Sequence, residues 1–243
     1  MIFALHPQFT VQKLTIGREL APLLVVDNLV ADADGLVELA ASKYFGEVTN
    51  YYPGIRAKAP LTYQQFVLQQ LRGLFGEYFG LQPGTLRFTD CHFSLVTTSP
   101  EKLVHLQRIP HTDSQLSTEL AFVHYLFKTD LGGTAFYRHR RTGYEVVDHV
   151  RKPGYLACVE QERDGADTPQ ARYINGSTAL YEQVGSQEGR FNRLLVYRRN
   201  SLHSGNIPDG FIPDPNPRTG RLSINGFLAG TAALPAGPAA SQR

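Results

Sequence analysis

Leu86-Arg87-Phe88-Thr89-Asp90-Cys91-His92-Phe93-Ser94-Leu95-Val96-Thr97 is where this chain changes its period. Apolar and polar residues alternate through the stretch, as on a half-buried strand. Thr98-Ser99-Pro100 then closes it. Before it the period is helical: residues 31–44 carry Leu36, Val37, Leu39 and Ala40 on one side, with Asp32 or Asp34 near the start. Residues 63–79 place Val67, Leu71, Leu74, Phe75 and Tyr78 at helical spacing, and Gly80 and Pro83-Gly84 stop them. A strand over 21–28 precedes both, and a loop containing Tyr51, Tyr52 and Arg56 separates them, read as an ordinary surface loop in preference to a substrate-side lid.

After residue 97 the signals remain those of strands. They fall at 121–127, 134–139, 144–150, 154–160, 191–198 and 221–228. Arg141-Thr142-Gly143 marks a hairpin. Residues 161–190 are polar and turn-rich, with a short helical signal over 177–184. The Ala/Gly/Pro-biased tail, 229–243, predicts disorder. Two leading helices followed by about eight strands exclude a doubly wound α/β fold, whose helices alternate with strands. The expected fold is mainly β with flanking helices, a double-sheet jelly roll. It forms one domain over 1–228, with 1–85 as a helical buttress and 86–228 as the jelly-roll core.

Composition agrees. Of 243 residues 42% are hydrophobic, enough for a sizeable core, and 22 Gly with 15 Pro suit many short strands joined by turns. A net charge of +2 argues against nucleic acid or an anionic membrane as an obligatory partner. The basic clusters Arg138-His139-Arg140-Arg141 and Arg198-Arg199 read as solvated hairpin ends. Two cysteines, Cys91 and Cys158, cannot build a disulfide framework and read as small buried hydrophobes. The first residues lack a basic segment followed by an apolar run, and no run approaches a bilayer span. The expectation is a cytoplasmic protein.

The chemistry-bearing residues lie inside the β region. In Arg108-Ile109-Pro110-His111-Thr112-Asp113, His111 and Asp113 stand two apart on an extended segment and point the same way. His203, in Asn200-Ser201-Leu202-His203-Ser204-Gly205, can supply a third ligand from a distant strand. Two histidines and one carboxylate leave three coordination positions open, the face used in non-haem Fe(II) oxygen chemistry. Any His-x-Asp is common by chance among 8 histidines. The signal sharpens downstream, where Gly220-Arg221-Leu222-Ser223-Ile224-Asn225-Gly226-Phe227 alternates and puts Arg221 and Ser223 on one face. A guanidinium beside a hydroxyl suits a carboxylate. His124, inside an apolar run, reads as a core histidine, and Asn192 and Arg193 read as turn residues.

The order His-x-Asp, His, Arg-x-Ser resembles that of Fe(II)/2-oxoglutarate-dependent oxygenases, nearest to the prolyl-4-hydroxylase-like and phytanoyl-hydroxylase-like groups. Phe191-Asn192-Arg193-Leu194-Leu195-Val196-Tyr197, running into Ser201-Leu202-His203-Ser204-Gly205, resembles a bacterial branch of that superfamily. The resemblance covers roughly residues 86–228. It implies Fe(II) on His111, Asp113 and His203, with 2-oxoglutarate as cosubstrate held at its far carboxylate by Arg221 and Ser223. It implies Tyr125 touching the cosubstrate, dioxygen at the last open position, and succinate and CO2 as products. Hydroxylation of a small molecule or peptide is the default outcome. Related halogenases lack the carboxylate ligand that Asp113 provides here.

One departure is the 18-residue step from His203 to Arg221, longer than the family's usual spacing. It makes Arg218 a second candidate for the carboxylate clamp. Two other readings stay open on the residues alone: a cupin-like metalloenzyme without an oxoacid, and a non-catalytic jelly-roll binding module. Specificity would reside in loops around 46–62, 161–190 and 206–219.

Overall fold

The computed structural model describes residues 2–46 and 52–233. The chain begins with an antiparallel pair, β1 (Thr10–Ile16) and β2 (Ala21–Asp27), in register from Thr10↔Asp27 to Ile16↔Ala21. α1 (Ala33–Ala41) follows, capped by Asp32, whose carboxylate accepts from the Gly35 amide at 2.8 Å. Next come β3 (Gly54–Lys58) and α2 (Leu61–Phe79). α2 ends at Gly80, whose left-handed φ of 64° lets its N–H close onto the Gly76 carbonyl.

The β region continues with β4 (Arg87–Val96), β5 (Glu119–Tyr125), β6 (Gly133–His139), α3 (Lys152–Glu162), β7 (Tyr181–Glu188), β8 (Leu194–Arg198), β9 (His203–Asn206) and β10 (Leu222–Ala229). Seven strands form one antiparallel sheet in the order β1-β2-β8-β5-β10-β4-β3, and three form a second in the order β7-β6-β9. The two sheets make the jelly roll. One face of the large sheet packs on α1 and α2, burying Leu24, Phe93, Phe122 and Ile224 with Tyr63 and Phe75. Its other face meets the small sheet through Val25, Ala121, Tyr125, Leu195 and Tyr197, with Phe136 opposite.

Several elements differ from the sequence reading. The N-terminal 85 residues supply β1, β2 and β3 to the large sheet as well as the two helices. β1 is an edge strand with most residues exposed or half-exposed, so it carries little apolar pattern. Residues 154–160, read as a strand, lie in α3. Pro153 fits the first turn of a helix, and a short apolar run does not by itself separate helix from strand. The helical signal at 177–184 is not realised: residues 181–184 begin β7, a polar edge strand. Residues 144–150 form no named strand: Val146 makes an isolated bridge to Ser201, and the His139 amide at the end of β6 donates to the Tyr144 carbonyl.

Arg138 and His139 are not solvated. Arg138 is ion-paired to Glu145 and Glu182, and His139 is fully buried against Glu162. Of the tail, residues 229–233 are described: Ala229 ends β10, the Thr231 carbonyl accepts from Gln82, and Ala232 bridges Leu81. Residues 234–243 lie outside the described residues. Among the described residues no helix is long and apolar enough to cross a membrane.

Candidate functional site

His111 belongs to no named strand, yet its backbone pairs with β9. The His111 amide donates to the His203 carbonyl at 2.9 Å, and the His203 amide returns the bond at 3.0 Å. Residues that exchange both bonds project from the same side of a sheet, so the two imidazoles meet with centroids 4.6 Å apart. Two residues on, the Asp113 amide donates to the Arg199 carbonyl, and the Arg199 guanidinium donates to the Asp113 carbonyl, each at 2.9 Å. These bonds hold the Asp113 carboxylate between the rings: Oδ1 lies 3.6 Å from His111 Nε2, and Oδ2 lies 3.4 Å from His203 Nε2. Ligand atoms of all three residues lie within 4.8 Å of one another.

The protonation state suits a metal. His203 Nδ1 lies 3.0 Å from the Ser201 carbonyl, which can only accept. Nδ1 therefore carries a proton, and Nε2 is the nitrogen turned toward Asp113. Desolvation by the cavity walls, and then the nearby His203, hold the His111 pKa down to about 4 against the opposing pull of Asp113. His111 is thus neutral at neutral pH, the form that ligates. Two imidazoles and a carboxylate are a donor set for a divalent transition metal with positions to spare.

The three residues line a cavity of about 670 Å³, and Arg221 and Ser223 line the same cavity. Arg221 is buried. Its Nε donates to the Leu131 carbonyl at 2.8 Å and its Nη2 to the Gly133 carbonyl at 2.7 Å, using two of five N–H groups. The guanidinium lies 5.5 Å from the Phe127 ring centroid and 5.9 Å from that of Tyr125. No carboxylate pairs with it among the described residues. A buried cation without a counter-charge is costly, so an anion entering the cavity would find a prepared partner. Ser223 donates to Asn225 Oδ1 at 2.7 Å.

Other residues singled out in the sequence fall elsewhere. Arg218 is exposed on the outside of the fold, bound through Nε and Nη2 to both oxygens of Glu38 on α1 at 2.8 and 2.6 Å. Tyr125 is fully buried beneath the cavity wall, its hydroxyl 2.6 Å from Thr134 Oγ1, and Thr134 itself lines the cavity. His124 is enclosed between the Tyr63 hydroxyl at 2.9 Å and Asn192 Oδ1 at 3.1 Å. Asn192 has φ 62° and brackets Val30 with its amide, and Arg193 grips Asp27 through two bonds, as befits a structural turn.

Tyr52 and Arg56 were expected on an ordinary surface loop. They line the cavity instead, because β3 pairs along β4; Tyr51 lies outside the described residues. Each segment expected to govern specificity reaches the cavity: Tyr52 and Arg56 from 46–62, Tyr173 from 161–190 and Ile207 from 206–219. Arg199, read as part of a solvated cluster, lines it too, ion-paired to Glu119 at 2.7 Å. Asn225 was legible from the alternation that selected Arg221 and Ser223. Arg56 was not, since five residues of edge strand carry too little pattern.

A family model described as "Family of unknown function (DUF6445)" matches residues 7–228. The chain belongs to this family. No curated protein matches it. Among solved structures it is similar to the non-haem α-ketoglutarate-dependent epimerase SnoN from nogalamycin biosynthesis, at 15% identity and TM-score 0.50, covering 86% of this chain and 78% of that one. SnoN in complex with Fe3+, α-ketoglutarate and nogalamycin RO matches at 13% identity and TM-score 0.50, covering 91% and 87%. HygX from Streptomyces hygroscopicus, with nickel and 2-oxoglutarate bound, matches at 10% identity and TM-score 0.46, covering 86% and 83%. At these identities the likeness is one of fold: this chain shares the fold of SnoN.

Proposed function

We propose that this protein is an Fe(II)- and 2-oxoglutarate-dependent dioxygenase that hydroxylates a small-molecule or peptide substrate. The observation that carries the reading is the sharing of one cavity by His111, Asp113 and His203 with the uncompensated guanidinium of Arg221. A metalloenzyme or binding module whose ligands carry no anion would leave that buried cation without a partner.

His111, Asp113 and His203 would hold the iron, the Ser201 carbonyl keeping the His203 Nε2 turned inward. Arg221, its plane fixed by the Leu131 and Gly133 carbonyls, would take the distal carboxylate of 2-oxoglutarate, with Ser223 beside it. When bound, iron with 2-oxoglutarate and dioxygen supplies an oxidant strong enough to take hydrogen from carbon, with release of succinate and CO2. The chain's own part is orientation and exclusion of water, through the apolar walls of the cavity.

Purified protein supplied with Fe(II), ascorbate and dioxygen is expected to convert 2-oxoglutarate slowly to succinate, and His203→Ala is expected to abolish the conversion. Wild-type protein that binds iron yet forms no succinate above background would overturn the proposal.

A further inference from the structure

Arg56 is a second cation lining the cavity, and no carboxylate among the described residues pairs with it. Its Nε is buried without a hydrogen-bond partner, and no ion pair among the described residues includes it. The guanidinium lies over the Tyr52 ring at 4.2 Å, which fixes its plane while leaving its edge for a ligand. The other cavity cations are engaged: Arg199 pairs with Glu119, and Lys152 donates to Gln115 at 3.1 Å. Asp113 is the one carboxylate among the lining residues, and the proposed metal would claim it. The Tyr52 hydroxyl feels both Arg221 and Arg56, each opposing the burial that raises its pKa. Both cations therefore act on one hydroxyl.

One carboxylate does not account for both. Register places Arg56 opposite Ser94, and Ser94 opposite Ser223. β3 is two strands out from β10, about 10 Å across the sheet. The backbone anchor of Arg56 is thus well separated from the Arg221–Ser223 pair. The rest of the wall is largely apolar and includes Ile109, Leu156 and Val159. Leu106 and Leu156 remain 56% and 50% exposed at its rim.

We infer that the substrate is an amphipathic carboxylate, its anionic head bound by Arg56 on the Tyr52 ring and its apolar body lying along Ile109, Leu156 and Val159. The inference rests on the oxygenase reading for the occupancy of Arg221, but Arg56 recognises its ligand independently of turnover.

The test is calorimetric titration of octanoate, with octanamide as the neutral control, into protein holding Mn(II) and saturating 2-oxoglutarate. Octanoate is expected to bind at one site at least about tenfold more tightly than the amide, the range for a hydrogen bond to a charged group. Arg56→Gln should erase that preference and leave the 2-oxoglutarate affinity within about twofold. Equal binding of acid and amide, or a preference surviving in Arg56→Gln, would overturn the inference. So would an Arg56→Gln variant that loses 2-oxoglutarate instead, since Arg56 would then belong to the cosubstrate clamp. Failure of wild-type protein to take up Mn(II) or 2-oxoglutarate would count against the oxygenase reading. Octanoate binding that Arg56→Gln abolishes in that same protein would still support the Arg56 site.

Discussion

His124 and His203 are both buried on strands of the jelly roll, yet they sit in opposite chemical situations. His124 has both ring nitrogens engaged, by Tyr63 and Asn192, and its ring stacks on Tyr63. His139 is similar, held between Thr142 and Glu162. His203 has one nitrogen fixed on a carbonyl and the other turned toward a carboxylate and a cavity. A histidine with both nitrogens satisfied serves the fold, whereas one with an inward nitrogen beside Asp and a second His is arranged to ligate. Burial does not separate the two, but the partner of the second nitrogen does.

The largest way to break this contrast is Asp113→Ala. It should reduce Fe(II) affinity by more than about 100-fold, beyond the loss typical of removing an outer partner of a metal ligand. The melting temperature of the metal-free protein should stay close to wild type. Equilibrium dialysis with anaerobic Fe(II) reads the first quantity, and unchanged affinity would remove the site assignment.

His124→Ala should do the reverse. Losing a packed ring and stranding Asn192 and Tyr63 should cost about 3 kcal/mol in urea denaturation, with metal affinity unaltered. Burial also holds the His124 pKa down to about 4 from 6.5. Between those values the unfolded chain binds a proton that the folded chain refuses. Stability should therefore fall as pH drops from 6.5 to 4, by roughly 3 kcal/mol from this residue, and be flat above 6.5. In His124→Phe the slope in that window should shrink, and an unchanged slope would assign it to other groups.

The same contrast between a closed and an open partner set applies to the arginines. Arg221→Ala should weaken 2-oxoglutarate by about 10- to 100-fold, the loss of a charge-assisted hydrogen-bonding partner, with metal affinity held. Arg218→Ala breaks only an exposed pair with Glu38 and should change stability by less than about 1 kcal/mol, with no effect on the cosubstrate. If the two variants exchange these phenotypes, the carboxylate clamp has been assigned to the wrong arginine.

How much of this was legible follows from local physics. The jelly roll was readable because β4, β5, β8 and β10 are central strands of the large sheet with strong apolar patterns. Of the small sheet, β6 was read as a strand at 134–139, but its neighbours were not, because β7 is polar and β9 spans only His203–Asn206. Its strands are specified by partners distant in sequence, such as Glu182 reaching Arg138. α3 was missed because Tyr155 is its one buried hydrophobic, with Val159 packed beside it, so its apolar face is narrow. Among the site residues, His111, Asp113, His203, Arg221 and Ser223 stood out by chemical type and spacing. Tyr52 and Arg56 come to the cavity only through the pairing of β3 with β4, which no local pattern announces.

The central claim is that the two-His, one-Asp face and Arg221 together hold iron and an oxoacid. Anaerobic titration of Fe(II)-loaded protein with 2-oxoglutarate tests it most directly, through the weak visible charge-transfer band that chelation of a keto acid to iron produces. A saturable band that His203→Ala removes is the predicted result. Bound iron with no band at saturating 2-oxoglutarate would contradict the account.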